Sequence, residues 1–301
     1  MSIYAEVMEK HQARRTGKQK TAFIEYLSGE FPGLRAEKAG RMGSRNLIYG
    51  DIGSADVVFT AHYDTVNENL LPNLILPRRP LLRMLYMLLV ISPMVALLLA
   101  VKYGMEALGA GEDISSICAL AAYFAAFICT FIVGFPNRHN ANDNTSGVLA
   151  LMRLMRTLDE EQLSRTAFVF FDNEEYGCVG SGAFYKLHRD VMKDKLVVNM
   201  DCIGDGDNIM LVISPEAEEK HGAAVRNAFR SGNGYTVELA SSKKIKYSSD
   251  QKHFPVGIGV CALHSNKLLG LWVGRIHTRR DTVCKKENIE FICKCAEELI
   301  K

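Results

Sequence analysis

The chain has 301 residues, and its 36 lysines and arginines are set against 34 aspartates and glutamates, which leaves a formal net charge of only +2. This near balance excludes the strongly basic surface that nucleic-acid-binding proteins use, so we expect no nucleic-acid partner. The length fits one large domain or two small ones.

Cysteine usage and the N-terminal residues both favour a cytoplasmic location. The eight cysteines show no CxxC spacing, and Cys118, Cys129 and Cys261 lie in apolar runs, where cysteine is commonly a small buried hydrophobe. Residues 1–15 are polar and charged and lack the apolar stretch of a signal peptide. Free thiols without an export signal fit a reducing compartment, so we expect the catalytic part to face the cytoplasm.

The first stretch with potential chemistry follows a predicted strand at residues 56–61. Upstream, residues 3–30 are predicted to form two helices interrupted near Gly17, and residues 46–49 form another strand. The strand at 56–61, DVVFTA, leads into His62 and Asp64. Because alternate residues of extended chain share a face, Asp64 is placed to reach a ring nitrogen of His62 and fix its tautomer.

Between residues 70 and 137 the chain changes character, and we interpret this stretch as an inserted hydrophobic helical hairpin. Residues 84–101 and 114–137 contain no charged residue, and a short polar turn separates them. Each run is close to the ~20 residues that cross a bilayer as a helix. We therefore expect two transmembrane helices, over about 84–103 and 114–135.

The charges around the hairpin predict its orientation. Arg78, Arg79 and Arg83 precede the first apolar run and Arg138 follows the second, whereas the connecting turn is more acidic than basic. The positive-inside rule then gives a multi-pass membrane protein with both chain ends in the cytoplasm. The alternative is a buried hairpin that acts as a lid over the active site or as a dimer contact. The oligomeric state stays open.

The rest of the chain alternates between predicted strands and helices. A fully apolar strand at 167–171 is soon followed by Glu174 and Glu175, and a strand at 195–200 is followed by Asp201. Further helices are predicted at 148–158, 216–230 and 288–301, and further strands at 208–213, 235–239, 257–263 and 268–273. This alternation predicts an α/β fold with a mixed, mostly parallel central sheet and helices on both faces.

Four polar residues are expected to meet at one edge of this sheet. Ligands of such sheets bind at the carboxyl ends of the strands. His62, Glu174, Glu175 and Asp201 all lie just past predicted strands, so the fold should bring them to one crevice. Imidazole and carboxylate ligands without a thiolate suit zinc, with manganese or cobalt as alternatives.

The order of the motifs resembles metallopeptidase family twenty-eight. The matching elements are HxD at 62–64, NDN-x-SG at 142–147, the glutamate pair at 174–175, Asp201, SDxxxF at 249–254 and HTxxDT at 277–282. The resemblance covers roughly residues 17–69 and 137–301 and leaves out the hairpin. It implies a zinc-exopeptidase, phosphorylase/hydrolase-like fold, with residues 1–301 as one catalytic domain that carries the insert at 70–137.

For the metal site, the resemblance implies two zinc ions bridged by Asp143. His62 and Asp201 would complete the shell of one ion. Glu175 and His277 would complete the shell of the other.

The resemblance also implies roles for residues that bind no metal. Glu174 would be the general base that accepts a proton from the attacking water, and Asp64 would orient His62. We further expect Asp281 to support the loop that carries the late histidine. Many members have tyrosine before that histidine, where it helps to hold the oxyanion; this chain has Ile276, so another donor or the zinc itself would have to serve.

The function implied is that of a zinc-dependent exopeptidase, foremost an aminopeptidase that removes N-terminal residues from peptide substrates. The family also includes glutamate carboxypeptidases, glutaminyl cyclases and transferrin-receptor-like binding proteins, so those activities and a non-catalytic receptor or scaffold are alternatives. Glutaminyl cyclases generally lack the full two-metal set, and the binding proteins typically lose ligands. This chain keeps all five ligand positions and the base.

Overall fold

The computed structural model describes residues 3–40, 42–69, 71–245 and 247–301. Within them the strands are β1 Arg35–Ala39, β2 Ser44–Tyr49, β3 Val57–His62, β4 Thr166–Phe171, β5 Leu196–Met200, β6 Asn208–Ile213, β7 Thr236–Ser241, β8 Gly257–Asn266 and β9 Gly270–Trp272. The α-helices are α1 Ile3–Lys10, α2 Gly17–Glu30, α3 Pro80–Ala107, α4 Glu112–Phe127, α5 Gly147–Thr157, α6 Glu160–Ser164, α7 Val179–Leu187, α8 Arg189–Met192, α9 Pro215–Ala228 and α10 Lys286–Ile300.

The strands form one mixed sheet in the order β1-β2-β4-β3-β5-β8-β6-β7, with β9 paired to β8. The central strands β4, β3, β5 and β8 pair in parallel, as do β6 and β7. Antiparallel pairing joins β1 to β2, β2 to β4, β6 to β8 and β8 to β9. The predicted mixed α/β sheet is confirmed, and its parallel part is the centre.

Alternate residues of the central strands face two different hydrophobic clusters, which is why these strands read as continuous apolar runs. In β4, Phe168 and Phe170 join the cluster that contains α5, α9 and α10. Val169 and Phe171 join the opposite cluster, together with Phe184 of α7. All five side chains are fully buried. Helices therefore cover both faces of the central sheet.

The edge strand β1 was not predicted, because only Ala39 of its residues is buried and its sequence RAEKA has little strand character. It forms by pairing with β2.

Helices α3 and α4 pack against each other and correspond to the predicted hydrophobic hairpin. Pro80 opens α3, where its fixed φ suits the first helical turn, and Pro93 lies inside the helix. The segments Pro80–Ala107 and Glu112–Thr130 are both long and apolar enough to cross a membrane, judged by length and composition. Only 6% and 11% of their most apolar windows are buried, so neither is a core helix in this chain.

Candidate metal centre

Two of the predicted ligands lie at neighbouring strand ends. His62 is the last residue of the fully buried strand β3, and Asp201 directly follows β5, which pairs with β3 in parallel. Both side chains are at least nine-tenths buried, and His62 Nε2 lies 3.6 Å from Asp201 Oδ1. The parallel register thus places an imidazole beside a carboxylate at the carboxyl edge of the sheet.

Asp143 stands between two histidines. It belongs to the irregular turn Ala141–Ser146 that leads into α5. Its Oδ1 lies 3.2 Å from His62 Nε2, and its Oδ2 lies 3.0 Å from His277 Nε2. Glu175 Oε2 is 3.1 Å from the same His277 nitrogen. The structure therefore brings all five predicted ligands into two groups that share Asp143.

The donor atoms of each group are compact enough to hold one cation. Ligand atoms of His62, Asp143 and Asp201 lie within 4.8 Å of one another, and so do those of Asp143, Glu175 and His277. Glu175 Oε1 and Asp201 Oδ1 are buried and have no hydrogen-bond partner within the described residues. Buried carboxylate oxygens left without partners are costly, and a divalent cation would satisfy them. Nitrogen and oxygen donors of this kind fit zinc.

The pKa shifts in the cluster reflect close packing of opposite charges. Burial alone would raise the pKa of Asp143, but the imidazoles of His277 and His62 hold it below its usual range. Burial raises the pKa of the Glu174 carboxyl well above its ordinary value; the imidazole of His62 opposes this shift, and the nearby carboxylates of Asp250 and Asp201 add to it.

Glu174 follows β4 and lines the same small pocket, of about 110 Å³, as four of the five predicted ligands. Its carboxylate Oε1 accepts a hydrogen bond from the Cys178 thiol at 3.2 Å. Its carbonyl accepts the main-chain N–H groups of Gly177 and Cys178, which begin the turn into α7. The next residue, Glu175, points its Oε2 at His277. The two adjacent glutamates therefore differ in surroundings. Glu175 belongs to one of the two compact ligand groups, and Glu174 belongs to neither.

Asp64 contacts His62 differently from the sequence-based expectation. The ring nitrogen His62 Nδ1 lies 3.1 Å from the main-chain carbonyl oxygen of Asp64 and 3.7 Å from its Oδ1. The Asp64 carboxylate instead accepts the main-chain N–H groups of Glu174 at 2.9 Å and Glu175 at 3.3 Å. One residue therefore fixes the histidine through its backbone and the glutamate pair through its side chain.

Asp281 also supports the turn that carries Asp143, a contact that the sequence did not predict. Its carboxylate accepts the main-chain N–H groups of Asn142 at 2.8 Å and Asp143 at 3.0 Å. Its own main chain stays in the loop after His277, since its N–H bonds to the Thr278 carbonyl. Asp281 thus connects the turn that carries Asp143 to the loop that carries the late histidine.

The amides of the NDN element tie the Asp143 turn to the chain after β5. Asn142 Oδ1 accepts the N–H of Gly204 at 2.7 Å, and Asn144 Nδ2 donates to the carbonyl of Met200 at 2.9 Å. Both asparagines are buried. The turn is therefore positioned against the segment that bears Asp201.

A buried arginine near the site escaped the sequence analysis, which predicted only two helices for residues 3–30. Arg14 is fully buried; its N–H bonds to Thr65 Oγ1 at 2.9 Å, and its Nη1 donates to Thr145 Oγ1 at 3.1 Å. Its Nε donates to the carbonyl of Tyr63. Arg14 joins the turns that carry Asp64 and Asp143, and its sequence context, QARRT, gave no sign of this.

A second unassigned group is Asp250, in the SDxxxF element. Its carboxylate is fully buried, and neither oxygen has a hydrogen-bond partner within the described part of the chain. Burial raises its pKa to about 7. Its neighbour Ser249 is held by Asn199 of β5, whose Nδ2 donates to Ser249 Oγ at 2.9 Å.

Ile276 is buried and lines this same small pocket of about 110 Å³, called the metal pocket below. Its side chain carries no hydrogen-bond donor. Tyr247 lines the same pocket, but its hydroxyl donates to the carbonyl of Asp201 at 3.1 Å. That phenol is therefore already engaged.

Comparison with known protein families now identifies the chain. The family model of Peptidase family M28 matches residues 132–299, more than half of the sequence. This chain belongs to peptidase family M28. Membership of this family supports a hydrolase. The matched region includes Asp143, Glu174, Glu175, Asp201 and His277, whereas His62 and Asp64 precede it. No curated protein sequence matches the chain.

Solved structures share the M28 fold at low sequence identity. The LapA aminopeptidase of Legionella pneumophila has a TM-score of 0.54 at 13% identity, over 99% of this chain and 66% of LapA. The glutaminyl cyclase of Porphyromonas gingivalis has a TM-score of 0.56 at 16% identity, over 98% and 95% of the two chains. The TET1 peptidase of Pyrococcus horikoshii has a TM-score of 0.51 at 12% identity, over 99% of each chain. At such identities the likeness shows the fold alone, and this M28 chain spans about two thirds of LapA.

Proposed function

We propose that the chain is a zinc-dependent exopeptidase, foremost an aminopeptidase, with one catalytic domain and two zinc ions bridged by Asp143. His62 and Asp201 would hold one ion, and Glu175 and His277 the other. The observation that carries this proposal is that the two oxygens of one carboxylate face two different imidazoles, at 3.2 and 3.0 Å.

Within this proposal the protein groups divide the work of peptide hydrolysis. When bound, the two zinc ions would polarise the scissile carbonyl and offset negative charge that develops on its oxygen. Glu174, which is adjacent to a ligand but outside both ligand groups, would accept a proton from the attacking water and pass it to the leaving amine. Asp64 would hold His62 and the glutamate pair in place through the contacts described above.

Glutaminyl cyclase activity is the second candidate, because the Porphyromonas gingivalis enzyme matches nearly the whole of both chains. It is favoured less, since the group of Asp143, Glu175 and His277 supplies a second cation position in addition to the first. A two-ion site is the arrangement that the peptidase proposal requires.

We also propose that helices α3 and α4 anchor the protein in a membrane, within residues 84–135, with the catalytic domain on the cytoplasmic side. The support is their length, their apolar composition and their exposure. Arg78, Arg79 and Arg83 at the start of α3 match a cytoplasmic membrane surface.

Zinc content and substrate tests on the full-length protein examine the proposed function. The protein would be treated with chelator, reloaded with zinc and assayed against a panel of aminoacyl amides and against peptides with N-terminal glutamine. The proposal requires chelator-sensitive release of N-terminal residues that zinc restores. Cyclisation of N-terminal glutamine without hydrolysis would favour the second candidate, and bound zinc without either activity would favour a binding protein.

A further inference from the structure

The first helix of the hairpin, α3, places a positively charged side chain at the metal pocket. Arg83, in the first turns of α3, lines this pocket together with Glu174 and His277. Among the described residues of the segment that precedes α3, Asn73 and Ile75 also line it. Among the described lining residues, Arg83 is the one arginine or lysine, so the hydrophobic insert supplies the pocket's fixed positive side chain.

Arg83 also lines a second, larger pocket, of about 620 Å³, at the base of the hairpin. This basic groove is lined by Arg78, Arg83, Lys243 and Lys244, with apolar walls that include Met87. The metal pocket has a volume of only about 110 Å³, which is space for a reacting amide but not for a whole peptide. The rest of a substrate needs a neighbouring space, and the groove adjoins the metal pocket at Arg83.

The positive charges of the groove are largely uncompensated. Arg78 forms an ion pair with Glu238. Within the described residues, no carboxylate lies within ion-pair distance of the side chains of Arg83, Lys243 or Lys244. An arginine guanidinium presents a planar fork of donors that matches a carboxylate. Three of the four cationic side chains of the groove therefore have no anionic partner among the described residues. A carboxylate of the substrate could fill that role.

With two zinc ions bound as proposed, the charges of the metal pocket would balance without Arg83. Two divalent cations would carry four positive charges, against the four carboxylates of Asp143, Glu174, Glu175 and Asp201 that line it. The described lining residues offer no further carboxylate for a substrate ammonium group. The side chain that remains for charge recognition is Arg83.

We propose that Arg83 and the basic groove bind a carboxylate of the substrate close to the scissile bond, which selects short peptides that carry such a carboxylate. This inference rests on the proposed exopeptidase function. In a dipeptide the C-terminal carboxylate lies roughly one extended residue, ~3.5 Å, beyond the scissile amide. The same chemistry could come from the side chain of an acidic residue at that position. The hairpin then completes the substrate site as well as anchoring the protein.

The test uses the full-length, zinc-loaded protein and matched pairs of substrates. Leu-Ala and Leu-Ala-amide differ only in the C-terminal carboxylate, and Leu-Glu-amide and Leu-Gln-amide differ only in the side chain. The ratio of kcat/KM within each pair would be measured for the wild type, Arg83→Gln and Arg83→Lys. Arg79→Gln is the matched control, because it removes the same charge one turn earlier, at an exposed position outside both pockets.

We expect the wild type to prefer the carboxylate member of one pair by roughly tenfold or more, the scale of one charge-assisted hydrogen bond. Which pair shows the preference identifies the source of the carboxylate. The ratio of kcat/KM within that pair should fall towards one in Arg83→Gln, recover partly in Arg83→Lys and keep its wild-type value in Arg79→Gln. Calorimetric binding of the phosphinic analogues of Leu-Ala and Leu-Ala-amide should follow the same order, and it decides the matter if the wild type shows no turnover.

Three results would overturn the inference. The first is a ratio that is the same in the wild type and in Arg83→Gln. The second is an equal loss of kcat on every substrate with the ratio kept, which would assign Arg83 to the oxyanion. The third is an unchanged ratio in Arg83→Gln together with weaker binding of this variant than of the wild type to nanodiscs that contain phosphatidylserine. This result would assign the groove to anionic lipid. Absence of hydrolysis alone counts against the proposed function, since binding preference is measured separately.

Discussion

The carboxylate of Asp64 accepts the main-chain N–H of Glu174 at 2.9 Å, although 110 positions separate them in the chain. The same carboxylate accepts the N–H of Glu175 at 3.3 Å, and the Asp64 carbonyl lies 3.1 Å from His62 Nδ1. Asp64 is not itself a proposed metal ligand. Its contacts link His62 and Glu175, which are predicted ligands of different zinc ions, to the proposed base Glu174.

Asp64→Asn should therefore weaken zinc binding and turnover together. The amide keeps one acceptor but turns a donor towards one of the two N–H groups, so the glutamate pair loses its fixed position. Substitutions of residues that orient metal ligands typically cost about 10–100-fold in metal affinity or activity. Competition with a zinc chelator and kcat/KM measure both effects. Asp51→Asn is the control, because exposed Asp51 also accepts a main-chain N–H, from Gly53 at 2.9 Å, far from the site. Equal affinities in the two variants would contradict this role.

Glu174→Gln should separate metal binding from catalysis. The amide cannot accept the proton of the attacking water, so we expect kcat to fall by about 10²–10⁴-fold. Zinc content should stay at the wild-type level, because Glu174 is outside both ligand groups. Metal analysis and steady-state kinetics are the measurements, with exposed Glu160→Gln in α6 as the control. A Glu174→Gln protein that keeps most of its activity would show that the base lies elsewhere.

Asp281→Ala should destabilise the turn that carries Asp143. The substitution leaves the buried N–H groups of Asn142 and Asp143 without their acceptor, which costs about 1–3 kcal/mol for each unsatisfied group. We expect a lower Tm and a smaller increase in Tm when zinc is added. Asp207→Ala, at an exposed position, serves as the control in the same thermal melts. An unchanged response to zinc would mean that the turn is held without Asp281.

Charged substitutions on the hairpin should release the protein from membranes. Leu88 in α3 and Leu120 in α4 are 57% and 50% exposed. An arginine at the centre of a transmembrane helix costs about 2.5–3.5 kcal/mol on insertion scales, and each of these off-centre positions costs part of that. The double variant Leu88→Arg/Leu120→Arg should lose retention in membrane pellets after an alkaline wash. Leu187→Arg in α7, where the leucine is 59% exposed, should stay with the wild type in the pellet. Wild-type protein that is monodisperse in detergent-free buffer would contradict the membrane proposal.

Most of the site could be predicted because the chemistry lies where buried strands end. The apolar strands β3, β4 and β5 are evident from sequence, and His62, the glutamate pair and Asp201 lie at their carboxyl ends. A parallel sheet brings such ends together whatever their separation in the chain. The mixed sheet and the hydrophobic hairpin followed from the same apolar patterns.

The contacts that depend on long-range packing could not be predicted. Nothing in the spacing of Asp281 shows that its carboxylate reaches the N–H of Asp143, and Arg14 lies in a segment of ordinary polar composition. Arg83 was interpreted only as a topology signal, because charge counting cannot tell that α3 begins beside the metal pocket. These residues are positioned by where loops and helices meet, which short-range patterns do not encode.

The number and position of bound zinc ions test the central claim most directly. Anomalous scattering at the zinc edge from crystals of the zinc-loaded protein, with metal analysis of the same sample, would locate each ion. We predict two ions per chain, one on each side of the Asp143 carboxylate, next to His62 and His277, and loss of both in Asp143→Ala. A protein that binds no zinc under any loading condition, or whose ions lie away from Asp143, would contradict the account.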